Sequence, residues 1–165
     1  MAAPVAETTY AAILPAPADL RVKLGVRLHS SALVSIDFLP SHHADLTPAT
    51  ALALRVTEQL RRYFTDPRHV FSVPLALQGT PFQQKVWRAL MRIPPGATLS
   101  YGALAAQLTT GARAVGNACR ANPVPIIVPC HRVVARDGMG GYAGAATGRN
   151  LQLKRWLLSH EQRGG

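Results

Sequence analysis

The feature that most constrains this chain is the stretch 125–134, which reads Pro-Ile-Ile-Val-Pro-Cys-His-Arg-Val-Val. Its prolines remove backbone donors and fix φ, so this apolar run is a poor member of a sheet. We therefore predict a rigid, buried turn that holds Cys130 in one orientation. An imidazole and a guanidinium beside a thiol favour its ionisation, so Cys130, His131 and Arg132 form a candidate reactive centre. The alternative is a small buried cysteine that only packs.

The two cysteines, Cys119 and Cys130, are too few for a disulfide framework and lack the spacing of a zinc site, so no metal is expected. No apolar run approaches the roughly 20 residues of a membrane span. The first residues lack the charged start and apolar core of a signal peptide. A free reactive thiol in such a chain leads us to expect a cytoplasmic protein that does not bind membranes.

Positive charge is concentrated in the second half of the chain. From Gly79 onwards there are 11 Lys and Arg residues against 2 Asp and Glu, whereas the preceding part has 7 against 6. A basic half of this kind is typical of proteins that bind a polyanion, most often nucleic acid. Charge that serves solubility alone remains the alternative, because net charge by itself is a weak signal.

The first half of the chain has the pattern of a small sheet followed by a helix. β-branched or alternating apolar residues over 10–14, 22–29 and 32–38 predict an antiparallel sheet whose last two strands form a hairpin. Thr47 and Pro48 have the types expected at the N-cap and first position of an amphipathic helix. We place a domain boundary near Gln78 and Gly79, which gives domains of residues 1–78 and 79–165.

The second half predicts a helix-turn-helix with a small β-wing. Helices are expected after Thr80-Pro81, over 101–108 and over 112–121, and a tight glycine turn joins the last two. Asp137-Gly138 is a hairpin signal after the strand that begins at Val133-Val134, so a two-stranded wing is expected there. A closing helix is predicted over 151–160, with Glu161 at its end.

Seven short pieces in this half resemble one family, the O6-alkylguanine-DNA alkyltransferases or methylated-DNA–protein-cysteine methyltransferases. They are residues 79–87 (GTPFQQKVW), 93–96 (IPPG), 100–102 (SYG), 113–116 (RAVG), 122–123 (NP), 129–133 (PCHRV) and 141–142 (GY). The resemblance covers about half of the chain, all of it after Gly79. It implies an α+β protein with a small ribonuclease-H-like N-terminal domain and a winged helix-turn-helix C-terminal domain.

The resemblance also implies a function. An alkyl group would move from O6-alkylguanine, or from O4-alkylthymine, in double-stranded DNA to a cysteine of the protein after the nucleotide is flipped out of the helix. Because a thioether does not hydrolyse, each monomer would act once and without a cofactor. A non-catalytic protein that binds alkyl lesions is the alternative, although such proteins carry another residue in place of Cys130. Cys119 would serve packing or groove contact.

Roles for individual residues follow from the same resemblance. Cys130 would accept the alkyl group, His131 would take the thiol proton through a water, and Glu161 would orient the imidazole. Asn122 would fix the turn around Cys130, and Tyr101 would donate a proton to the departing guanine. DNA contacts would come from Arg113, which fills the vacated space, and from Tyr101, Gly102 and Arg120, while Val133, Tyr142 and Ala143 would line the base pocket.

Overall fold

The computed structural model describes residues 9–142 and 148–163 and contains both helices and strands, which confirms the α+β class. The described residues divide into two compact units. The first comprises residues up to Thr65 together with His69–Leu77, and the second comprises Asp66–Arg68 and the residues from Gln78 onwards. No helix in these described ranges is both long and apolar enough to cross a membrane.

The first unit contains a three-stranded antiparallel sheet in the order β1-β2-β3, as predicted. The strands are β1 (Ala12–Pro15), β2 (Val22–His29) and β3 (Ala32–Pro40). The last two form a tight hairpin in which His29 pairs with Ala32. The segment 71–77 adds one parallel bridge between Leu75 and Leu33.

The helix of the first unit, α1 (Ala51–Thr65), begins later than the sequence suggested. The N-cap prediction at Thr47 is wrong, because the Oγ1 of Thr50 accepts the amide N–H of Ala53 at 3.1 Å. A threonine can cap at either position, and the helix that results contacts β1 and β2. The buried residues of α1 are Ala53, Val56, Thr57, Leu60 and Tyr63, whereas Leu52 and Phe64 are only half-buried.

The second unit begins with α2 (Pro81–Leu90), whose start was predicted from Thr80-Pro81. The Thr80 hydroxyl accepts the Gln83 amide N–H at 3.1 Å, and the Gln83 side chain accepts the Thr80 N–H at 2.9 Å. This reciprocal pair satisfies two amide donors that the helix itself leaves open. Deeper in α2, the buried Trp87 indole donates to the carbonyl of Ala118 at 2.9 Å.

Thr80→Ala should lower the free energy of unfolding by about 1 kcal/mol, because it removes the oxygen that accepts the Gln83 N–H. Urea denaturation followed by circular dichroism measures this change. Thr80→Ser retains a hydroxyl and is the matched control, with stability expected close to that of the unmodified protein. Equal losses in the alanine and serine variants would contradict the capping role of the hydroxyl.

Two further helices follow at the places where the sequence predicted them. They are α3 (Tyr101–Gln107), capped by the Ser100 hydroxyl, and α4 (Ala112–Arg120). The two helices pack on each other, and α4, whose Val115 and Ala118 are buried, also packs on α2. The last described helix is α5 (Arg149–Arg163), which contacts the 3-10 turn at Cys130–Arg132.

The strand predicted to begin at Val133–Val134 is present, and the return strand of the predicted wing runs into residues outside the described ranges. In the described residues, β5 (Val133–Val134) pairs in parallel with β4 (Leu99–Ser100). The backbone does turn before Gly138, whose N–H donates to the Ala135 carbonyl at 3.4 Å. The carbonyls of Val133, Met139 and Gly141 accept hydrogen bonds from a lysine of α5.

Candidate active site and DNA-facing surface

The turn that carries Cys130 is buried, as predicted, and is held by Asn122. Every residue of the range 124–133 is buried. The Asn122 amide donates to the carbonyl of Val128 at 2.8 Å and to the Sγ of Cys130 at 3.3 Å, and its oxygen accepts the Val124 N–H at 3.0 Å. One side chain thus ties both ends of the turn and supplies a donor to sulfur, where a negative charge would be stabilised.

Next to the thiol, a buried histidine, carboxylate and guanidinium form one network. The Nε2 of His131 lies 2.7 Å from the Oε1 of Glu161, and these side chains are 0% and 1% exposed. The Arg132 guanidinium donates to both carboxylate oxygens, with Nε 3.0 Å from Oε2 and Nη2 2.8 Å from Oε1. Its Nη1 donates to the Ile93 carbonyl at 2.6 Å. Arg132 therefore positions Glu161, and Glu161 positions the ring of His131.

This network sets the protonation state of the imidazole. Burial alone would raise the pKa of Glu161, but hydrogen bonds from His131 and Arg132 outweigh it and hold that pKa well below its usual range. Burial lowers the pKa of His131, although Glu161 opposes the effect. The ring is therefore neutral near pH 7 with its Nε2–H donated to the carboxylate, which makes Nδ1 the acceptor. That Nδ1 is buried and has no hydrogen-bond partner among the described residues.

The two thiols of the site are protonated at rest. Burial raises the pKa of Cys130, opposed by the Asn122 hydrogen bond and the charge of Lys154. Burial and the neighbouring Cys130 raise the pKa of Cys119 to about 12. Burial and the two thiols also raise the pKa of Tyr101 to about 12, so its phenol stays a donor. A protonated thiol beside a neutral imidazole can react once the proton passes from sulfur to nitrogen.

Tyr101, the first residue of α3, lies against the segment that follows β5. A Cβ atom at Gly140 would come within 2.9 Å of the Tyr101 ring, and Gly140 has a φ of +72°, so glycine is required there for two reasons. The Lys154 ammonium lies 5.7 Å from the centre of the same ring. Val133 and Tyr142 flank this segment and are buried. Ala143, the third predicted pocket residue, lies outside the described residues.

Sequence reasoning missed Lys154, which is fully buried on the inner side of α5. Its ammonium donates to the carbonyls of Val133 at 2.8 Å and Gly141 at 3.0 Å, and also to that of Met139. The available signal was its position, since Lys154 falls between Leu153 and Leu157 on the apolar face of the helix. A lysine inside an apolar stripe needs partners, and three backbone carbonyls provide them.

The outer face of α4 is basic and carries few bulky side chains. Arg113 and Arg120 are exposed near the two ends of the helix. A Cβ atom added at Gly102, Gly111 or Gly116 would meet no described atom within 4 Å, so these glycines are not explained by packing. The face can therefore approach another backbone closely and place a positive charge at each end. No group of three His, Cys, Asp or Glu residues in the described chain could hold a metal ion.

The comparisons agree with this geometry. Residues 81–163 match the family model described as 6-O-methylguanine DNA methyltransferase, DNA binding domain. The constitutive methylated-DNA–protein-cysteine methyltransferase of Bacillus subtilis is 47% identical over 108 residues, which are 64% of this chain and 63% of the relative. The match thus spans less than two thirds of that relative. The methylated-DNA–protein-cysteine methyltransferase of Mycobacterium bovis is 40% identical over 141 residues, 81% of this chain and 82% of the relative.

Solved structures support the same assignment over most of the chain. The crystal structure of Mycobacterium tuberculosis O6-methylguanine methyltransferase has a TM-score of 0.76 at 37% identity and covers 93% of this chain and 92% of its own. A structure of Mycobacterium tuberculosis OGT in complex with DNA covers the same shares at a TM-score of 0.73 and 36% identity. On the strength of these matches, the chain belongs to the methylated-DNA–protein-cysteine methyltransferase family.

Proposed function

We propose that the protein repairs DNA by direct reversal, moving an alkyl group from O6-alkylguanine, and from O4-alkylthymine, in duplex DNA to Cys130. The observation that carries this proposal is the buried Cys130 thiol, which accepts a hydrogen bond from Asn122 and is followed in the chain by His131. The Nε2 of His131 is bonded to Glu161, and its Nδ1 is an acceptor without a partner among the described residues. The names of the relatives and the DNA complex of the Mycobacterium tuberculosis protein support it. The protein is then a single-turnover transferase.

The chemistry balances with the residues of the site. The proton of Cys130 passes through a water to the Nδ1 of His131, and Glu161 stabilises the imidazolium. The thiolate attacks the alkyl carbon, a C–S bond forms, and the C–O6 bond breaks with its electron pair moving to the guanine. Tyr101 donates its phenolic proton to that anion and regains one from the imidazolium. The products are guanine and a thioether, which water does not cleave.

The lesion must leave the base stack to reach a buried sulfur. Unstacking costs a few kcal/mol and is cheaper for a damaged pair. Arg113, at the start of α4 and exposed, fills the space left by the flipped nucleotide. The glycine positions on α3 and α4 allow the minor groove to come close, and Arg120 contacts phosphate. Gly102 lies beside Tyr101, where the phosphate backbone would pass.

We extend the proposal to the domains. Residues 1–78 form the ribonuclease-H-like domain, supported by the antiparallel sheet and α1. Residues 79–165 form the winged helix-turn-helix domain that carries the acceptor, with the segment 133–142 in the place of the wing. The protein acts as a monomer, one alkyl group each, in a reducing compartment such as the cytoplasm, because an oxidised thiol could not attack carbon.

Intact-mass spectrometry after incubation with a duplex oligonucleotide carrying one O6-methylguanine tests this function. The protein should gain the mass of one methyl group and no more, and peptide mapping should place it on Cys130. A tightly bound but unmodified protein would instead support the alternative, a non-catalytic protein that binds alkyl lesions.

Arg113→Ala should slow methyl transfer by about 10- to 100-fold, because the extruded nucleotide loses the side chain that replaces it. General affinity should change little, since one exposed charge among many is removed. Rapid-quench transfer kinetics and fluorescence of a 2-aminopurine beside the lesion report extrusion, and a lesion-free duplex reports affinity. Arg120→Ala is the matched control, which should weaken both duplexes equally. A similar loss of transfer and of lesion-free binding in Arg113→Ala would contradict this role.

A further inference from the structure

Lys154 is a buried cation that takes part in no step of the proposed chemistry. It is 0% exposed, on the face of α5 that also buries Leu153 and Leu157. Burying an ammonium is costly unless its donors are satisfied. Its hydrogen bonds to the carbonyls of Val133, Met139 and Gly141 use the three N–H donors that an ammonium has.

These acceptors all belong to the segment 133–142. The segment begins at Val133 and ends at Tyr142, and the family resemblance predicts that both line the base pocket. Between them, Gly140 lies so close to the ring of Tyr101, the proposed proton donor, that an added Cβ atom would come within 2.9 Å of that ring. One side chain of α5 therefore fixes the backbone that forms one side of the pocket and, through Gly140, limits where the Tyr101 ring can lie.

The partners of Lys154 supply dipoles and no formal negative charge. The titratable groups whose charges interact with it are the thiols of Cys119 and Cys130 and the imidazole of His131, and the Tyr101 phenol lies within reach of its charge. Burial lowers the pKa of Lys154 to about 8, so most of the molecules keep the positive charge at neutral pH. A fixed positive charge near a thiol favours the thiolate.

We propose that Lys154 is a positioning residue for alkyl transfer, whose ammonium fixes the segment 133–142 and supplies positive charge that favours the Cys130 thiolate. The inference rests on the proposed function for the meaning of the pocket. The effect of Lys154 on the Cys130 sulfur does not depend on DNA, so this inference and the proposed function can be tested separately.

The first experiment uses the full-length protein without DNA. Carboxamidomethylation of Cys130 by iodoacetamide is followed by peptide mass spectrometry between pH 6 and 10 in wild type, Lys154→Met and Lys154→Arg. Lys154→Met should react about tenfold more slowly at neutral pH, and the difference from wild type should narrow above about pH 8, where Lys154 itself loses its charge. Lys154→Arg keeps the charge and should recover most of the reactivity. Arg155→Met, which removes one charge from an exposed position of the same helix, is the matched control and should leave the profile unchanged.

The second experiment measures methyl transfer from the O6-methylguanine duplex at saturating DNA. Lys154→Arg should remain well below wild type in maximal rate, because a planar guanidinium cannot reach all three carbonyls.

If the Cys130 thiol of Lys154→Met titrates like that of Arg155→Met, the electrostatic part of the proposal is wrong. Full transfer by Lys154→Arg would overturn the positioning part. If Lys154→Met does not fold, a Cys130 thiol of Lys154→Arg that reacts about tenfold more slowly than that of Arg155→Met overturns the electrostatic part. If the wild type transfers no methyl group while the variants still differ as expected in Cys130 reactivity toward iodoacetamide, the result counts against the proposed function alone.

Discussion

Cys130→Ala is expected to abolish methyl transfer from O6-methylguanine while leaving the binding of the alkylated duplex nearly unchanged. The substitution removes the only atom that can form the new C–S bond, whereas Arg113 and Arg120 on α4 are untouched. Only a weak 3.3 Å hydrogen bond from Asn122 is lost with the sulfur, so the fold should remain. Transfer of radiolabelled methyl groups and fluorescence anisotropy with the same duplex measure the two properties.

Cys119→Ala is the matched control because Cys119 is the other buried thiol of the chain. Its pKa is raised to about 12, so it carries almost no thiolate at neutral pH. We expect this variant to accept one methyl group at close to the wild-type rate. Methylated protein recovered from Cys130→Ala, with the methyl group on Cys119, would show that the acceptor was misassigned.

Local signals predicted much of the fold. Thr80 and Pro81 started α2 as expected, because a cap and its partner lie three residues apart and can be read from a few positions. The partner of Val133–Val134 could not be read in this way. β5 pairs with β4, which lies far earlier in the chain, and the carbonyls of Val133 and Met139 accept hydrogen bonds from a lysine 15 or more residues further along.

The residues of the candidate site also divide into those that local sequence signals predicted and those that depend on distant parts of the chain. The proline-bounded turn and the Cys130-His131-Arg132 order are adjacent in sequence, so residue types alone predicted a buried thiol beside an imidazole. Glu161 lies 30 residues from His131 and entered through the family resemblance, since no local pattern links the two. Lys154 was missed because a lysine on an amphipathic helix usually faces solvent, and its buried acceptors are backbone atoms without a sequence signature.

The strongest single dependence of stability in the second unit should be on Glu161. Its carboxylate is the shared partner of two buried donors, His131 and the Arg132 guanidinium, and it is 1% exposed. A buried ion pair adds little compared with a well-packed apolar pair, but removal of one member leaves a buried charge without compensation. Arg132 would be left in that state, and its bond to the Ile93 carbonyl supplies no negative charge.

Glu161→Gln should therefore lower the free energy of unfolding by about 3–5 kcal/mol at pH 7. It should also slow methyl transfer on the order of 10³-fold, because the imidazolium that forms at His131 loses its anionic partner.

The pKa of Glu161 is lower in the folded protein than the value of about 4.3 in an unfolded chain. The contribution of Glu161 to the free energy of unfolding is therefore present above pH 4.3 and is lost as the pH falls further. Urea denaturation from pH 2.5 to 7 should show that acid loss in wild type and in the exposed control Asp137→Asn, and no such loss in Glu161→Gln. An identical acid dependence in all three proteins would contradict the ionised state of Glu161 on which the mechanism depends.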